Sequence, residues 1–180
     1  MGGQACVLYG AAEFSRDIDL AISADPANLE RLQSAVDELE AIVIAVPPFQ
    51  RQYLEAGQAV HFRCQHPDAF HLRVDVMARM RGLEEFPILW DRRTTVEDID
   101  VLSLQDLVLA KKTQRDKDWP MVSRLVEANY FGNRLHPSPQ QVAFWLQELR
   151  NPALLIAAAA RPSSSARSEQ PGRNPIGPGR

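Results

Sequence analysis

The chain has 180 residues, 45% hydrophobic and 24% charged, enough length to bury a core and an ordinary balance for a globular domain. Its net charge of −3 provides no overall attraction to nucleic acid or to a membrane surface. Four arginines and one acid, Glu169, leave the last 20 residues at +3 and the first 160 at −6. Two cysteines, Cys6 and Cys64, can build neither a disulfide framework nor a zinc site by themselves, which points to a reduced, cytoplasmic setting. No signal-peptide pattern opens the chain. Its longest apolar run, "ALLIAAAA" (153–160), is far shorter than the roughly 20 residues of a membrane helix. The expectation is a cytoplasmic protein with no membrane partner.

In chain order, residues 3–11 predict a short helix opening after Gly2. Residues 17–23 alternate, with Ile18, Leu20 and Ile22 on one side and Asp17, Asp19 and Ala21 on the other, the period of a strand. "DPANLERLQSAVDELEA" (25–41) has an Asp cap, a proline at the first helical position and apolar residues near a 3.6 spacing, and predicts a helix. Residues 59–63 and 70–77 read as two more strands joined by the turn "CQHPDA", with Leu72, Val74 and Val76 opposite Arg73, Asp75 and Met77. "TVEDIDVLS" (95–103) predicts another short strand, after which Ser103 caps "LQDLVLAKKTQ". "WPMVSRLVEANYF" and "SPQQVAFWLQELR" complete a helical C-terminal segment over 103–160, following a core over 1–102. The Ser-, Pro-, Gly- and Arg-rich residues 161–180 read as a disordered tail. The helix at 3–11 needs a sheet to pack on and no strand precedes Gly2, so the expectation is a core lacking its first strand, or a start that lies upstream of Met1.

Asp17 and Asp19, at i and i+2 of a strand, emerge on one face about 7 Å apart along the chain. Their mutual repulsion is relieved by protonation or by a cation. A hard divalent ion suits them, since Mg²⁺ takes one or two carboxylates together with phosphate oxygens and water. Asp75 repeats the pattern on another strand, and three such carboxylates could hold two ions for in-line phosphoryl chemistry. The plain alternative is a solvated sheet face. Gly2 and Gly3 allow close backbone approach and suit a triphosphate, or simply form a turn. Ser15 offers a hydroxyl to phosphate, or closes a turn. His61, His66 and His71 have no familiar metal spacing and read as ordinary histidines. Trp90, Trp119, Phe144 and Trp145 read as core.

The succession Gly2-Gly3, a short helix, Gly10, Ser15 and then Asp17-Ile18-Asp19 on a strand resembles the nucleotidyltransferase fold, the superfamily of DNA polymerase β, the minimal nucleotidyltransferases and the AbiEii-like toxins. "LRVDVM" supplies Asp75 where that superfamily has a later-strand carboxylate, and "LSLQDLVLAKKTQRDKDW" (102–119) resembles the helix start that follows the core in AbiEii-like members. The resemblance spans about residues 2–130. It implies an α/β (α+β) fold, a mixed sheet with flanking helices. It further implies that Gly2, Gly3 and Ser15 cradle a triphosphate, and that Asp17, Asp19 and Asp75 bind Mg²⁺ or Mn²⁺, with Asp75 as a metal ligand or as the base. Lys111 or Lys112 would reach phosphates, with Arg115 and Lys117 as weaker candidates; the plain alternative is that these cations flank a solvated helix or pair with Asp116 and Asp118.

The implied reaction moves a nucleoside monophosphate from an NTP to a hydroxyl or phosphate acceptor on a protein, an RNA end or a small molecule. A second reading is a catalytically inactive relative that binds a nucleotide or a protein partner, such as the cognate member of a toxin–antitoxin pair. Glu13, a carboxylate close to the phosphate-binding stretch, favours that reading. A third is an interaction module whose aspartates are merely solvated.

Overall fold

A computed structural model describes residues 1–112 and 118–160 of the chain. These fall into two compact units divided between Gly132 and Asn133. Arg115 and Lys117, and the tail at 161–180, lie outside the described residues.

The first unit opens with α1 (Gly2–Leu8), β1 (Asp17–Ala21), α2 (Pro26–Glu38) and β2 (Ile42–Val43). It continues through α3 (Arg51–Glu55), β3 (Val60–Arg63), β4 (Arg73–Met77) and α4 (Phe86–Asp91). The hairpin β5 (Thr94–Val96) and β6 (Ile99–Val101) then leads into α5 (Leu104–Lys112) and α6 (Trp119–Asn133). The main sheet is mixed, in the order β1-β4-β3-β2, with β1 parallel to β4 and the remaining neighbours antiparallel. The mixed α/β class with flanking helices is therefore present. β5 and β6 form a separate two-stranded sheet.

Local chemistry accounts for the element boundaries. Asp25 Oδ1 accepts from the Asn28 N–H at 3.0 Å, capping α2 with Pro26 at its first position. Ser103 Oγ accepts from the Asp106 N–H at 3.2 Å and caps α5. The predicted strand at 95–103 is instead the two arms of a hairpin turning at Glu97 and Asp98, both with positive φ (48° and 63°). Tyr9 Oη donates to the Leu102 carbonyl at 2.8 Å, tying the end of α1 to the start of α5.

The two faces of the sheet differ, as period-2 alternation requires. Val60, Phe62, Val74 and Val76 are buried on one face, in a cluster with Ile22, Val36 of α2 and Leu54 of α3. Ile18 packs on the same cluster. Leu20, expected with it, is over a third exposed at the open edge of the sheet, where it lines a small cavity with Phe86, Leu89 and Trp90. The other face carries the polar set of β1 and β4, beneath α1. Cys6 and Cys64 are buried free thiols.

In the second unit, α7 (Pro139–Glu148) and α8 (Pro152–Ala159) pack against each other. A Ser138–Gln141 capping box starts α7, and Asn151 caps α8 by accepting from the Ala153 and Leu154 N–H groups. No described helix is long and apolar enough to cross a membrane.

Candidate functional site

The polar face of the sheet lines a cavity of about 310 Å³. Gly2, Gly3, Ser15, Asp17, Asp19, Asp75 and Lys111 all border it, together with Arg73 and Met77. Pairing puts Asp19 directly beside Asp75 on the parallel neighbour, and Asp17 beside Arg73. α5 supplies Lys111 from its last turn. Lys112, one position on, does not line the cavity. Glu13 lines a different cleft, with Gly10, Phe14 and Arg124.

The glycines are where the chain comes closest to the carboxylates. Gly2 has a φ of +67°, and a Cβ there would stand 1.7 Å from Asp19 Oδ2. At Gly3 a Cβ would stand 2.3 Å from Ser15 Oγ. Neither position has room for a side chain, and the Gly3 N–H donates to Asp19 Oδ2 at 3.3 Å. Ser15 Oγ donates to the Asp17 carbonyl at 3.0 Å, which closes the turn into β1. In this geometry its hydroxyl proton is used within the loop.

Asp75 is 8% exposed, and both of its oxygens are engaged. Arg73 Nε donates to Oδ1 at 2.8 Å and Nη2 to Oδ2 at 2.9 Å, a two-point guanidinium–carboxylate fork. His61, opposite Asp75 on β3, places Nδ1 2.8 Å from Oδ1. Arg73 is held even more firmly in its charged form, first by its hydrogen bonds to Asp75 and then by the charge on Asp75 and on the two β1 aspartates.

The cavity's fit to a divalent ion follows from its donors. Asp17 and Asp19 present hard oxygens to the same space, a donor set adequate for one Mg²⁺ whose other ligands are phosphate oxygens and water. Asp75, by contrast, has its oxygens engaged by Arg73 and His61, and among the described residues no three His, Cys, Asp or Glu side chains gather as a metal-holding group.

Burial pushes the Asp19 carboxyl above its ordinary range and the charge on Asp75 adds to the rise, while the Gly3 N–H and Lys111 oppose it. Asp19 is thus protonated more readily in the folded chain than in the unfolded one. Its contribution to stability is complete below the ordinary carboxylate pKa of about 3.9 and is lost as pH rises through the raised value. Asp19→Asn removes that dependence. Calorimetry without metal should show the variant gaining on the wild type in Tm as pH rises from about 4 to about 7. A gain on acidification would contradict the burial of Asp19.

Comparison with family models, curated proteins and solved structures finds no match for this chain.

Arg73 and His61 are the site residues that the sequence reading passed over. Arg73 stands two residues before Asp75, so the alternation that aimed Asp75 at this face aimed Arg73 there too. His61 reaches Asp75 only through the β3–β4 register, which a single sequence does not display.

Proposed function

We propose that this chain is a nucleotidyltransferase-like protein that binds a nucleoside triphosphate with Mg²⁺ or Mn²⁺ in the cavity above β1 and β4, and moves a nucleoside monophosphate to a hydroxyl or phosphate acceptor. The observation that carries the proposal is the gathering of Gly2, Gly3, Ser15, Asp17, Asp19, Asp75 and Lys111, drawn from five separate elements or loops, around a single space. Their order along the chain is also what resembles the nucleotidyltransferase fold.

At about 310 Å³ the cavity is at the small end of ligand sites, a size that suits a polyphosphate and its ion, with base and sugar outside. Asp17 and Asp19 would hold the ion, which supplies charge stabilisation at the phosphates and at the departing pyrophosphate. Lys111 faces the same space and balances phosphate charge as a point cation. Gly2 and Gly3 border the same space, and their lack of side chains lets Asp19 and Ser15 pack against the backbone there. In the transfer, an acceptor oxygen bonds to the α-phosphorus as the bond from that phosphorus to pyrophosphate breaks, and the proton of a hydroxyl acceptor passes to water.

A second reading, binding without transfer, is favoured by the engagement of Asp75. A carboxylate whose two oxygens accept from Arg73 is poorly placed to take a proton from an acceptor hydroxyl. Such a protein would act through a partner, such as the cognate component of a toxin–antitoxin pair. Incubation with each labelled NTP, Mg²⁺ or Mn²⁺ and a pool of protein, RNA and small-molecule acceptors separates the two. Metal-dependent label transfer supports the transferase. Metal-dependent NTP binding without transfer supports the second reading, and neither binding nor transfer removes both.

A further inference from the structure

We infer that Arg73 occupies the role of a second metal ion, so that the site takes a polyphosphate with one divalent cation per chain and the Arg73 guanidinium as its partner charge. The inference rests on the nucleotide reading above and adds to it a phosphate-binding residue and an ion stoichiometry.

The geometry points this way from both ends of the Arg73–Asp75 pair. At the carboxylate, an arriving ion would have to displace two charge-assisted hydrogen bonds and the His61 contact from a side chain that is only 12% exposed. Asp75 is thus a poor ligand for a second ion. At the guanidinium, Nε and one N–H of Nη2 are spent on Asp75 and Nη2 also stands 3.3 Å from His61 Nδ1, while Nη1 makes no hydrogen bond among the described residues. The Arg73 side chain is 41% exposed and borders the same cavity as Asp17, Asp19 and Lys111. A guanidinium fixed on one edge by a carboxylate and unengaged at Nη1 is pre-oriented to donate to a phosphate oxygen, with little further freedom to lose.

Charge leads to the same arrangement. Asp17, Asp19 and Asp75 bring three negative charges to the cavity, and Lys111 and Arg73 bring two positive ones. One divalent cation on Asp17 and Asp19 turns that lining net positive, as a polyphosphate requires.

The test is a titration of Mn²⁺ by electron paramagnetic resonance, with inorganic tripolyphosphate as the anion. The wild type should bind one Mn²⁺ per chain. Arg73→Met should weaken tripolyphosphate binding about tenfold and, with Asp75 released, raise the stoichiometry towards two. Arg73→Lys, which keeps the charge and the fold but not the fork, should fall between. Asp75→Asn should still bind one Mn²⁺. Two ions on the wild type, loss of Mn²⁺ from Asp75→Asn, or unchanged tripolyphosphate affinity in both Arg73 variants would each overturn the inference. A wild type that binds neither Mn²⁺ nor tripolyphosphate overturns it together with the nucleotide reading. Single-ion, Arg73-dependent binding without nucleotidyl transfer upholds it and leaves the protein a binder.

Discussion

Asp17→Asn/Asp19→Asn should abolish every metal-dependent property of the protein while leaving the fold intact. For the wild type, an NTP with Mg²⁺ at about 100 times its Kd stabilises the folded state by about 2.7 kcal/mol. For a chain of this length that is a rise in Tm of roughly 5–10 °C. The double variant should show none of it, and no label transfer. Its metal-free Tm should match or exceed that of the wild type, because the change removes two like charges from one face of β1 and relieves the burial that pushes the Asp19 carboxyl up. The combination of lost ligand response and undiminished stability is the informative one. A site that was merely structural would lose stability on substitution, and a solvated carboxylate face would show no ligand response before it. A wild type whose Tm is indifferent to Mg²⁺ and NTP would falsify the nucleotide reading.

The parts of this site that could be read from the sequence are those governed by period-2 alternation and short loops. Alternation puts Asp17, Asp19 and Asp75 on one face because their apolar neighbours need the other, and Val60, Phe62, Val74 and Val76 do bury there. Gly2 and Gly3 signal close approach in the sequence, and the approach is to Asp19 and Ser15 themselves. What escaped depends on pairing or on missing signals. The link from His61 to Asp75 exists only in the β3–β4 register. The β5–β6 turn has no glycine or asparagine to mark it, since Glu97 and Asp98 take the positive φ values. α8 is so uniformly apolar that no amphipathic period shows, and its only cue is the Asn151-Pro152 start. Arg73 shares the face of Asp75 by the same alternation, but the fork between them is a side-chain contact that alternation alone does not specify.

Asp106→Ala should destabilise the first unit by about 2–4 kcal/mol, a fall in Tm of roughly 5–15 °C. Asp106 is 4% exposed at the start of α5. Its Oδ2 accepts from Arg92 Nε at 2.7 Å and from Ser103 Oγ at 2.6 Å, while Oδ1 takes the other arm of the Arg92 fork. Three donors converge on that carboxylate, and the same Ser103 caps the helix. Truncation leaves the Ser103 hydroxyl without its acceptor and Arg92 without its counter-charge. Arg92, 43% exposed on its side chain, can recover part of its hydration, which keeps the cost below that of a fully buried orphan charge. Asp106→Asn should cost about half as much, because the amide oxygen still accepts one bond while the charge is gone. The consequence for function follows from position: α5 carries Lys111 at its far end, and Tyr9 ties α1 to the carbonyl of Leu102 just before it. Loosening the start of α5 should therefore lower tripolyphosphate affinity as well as Tm, whereas Arg73→Lys, which keeps a cation beside the buried Asp75, should lower the affinity with a smaller loss of Tm. Thermal denaturation and tripolyphosphate titration on the same preparations separate the support of the site from the site itself.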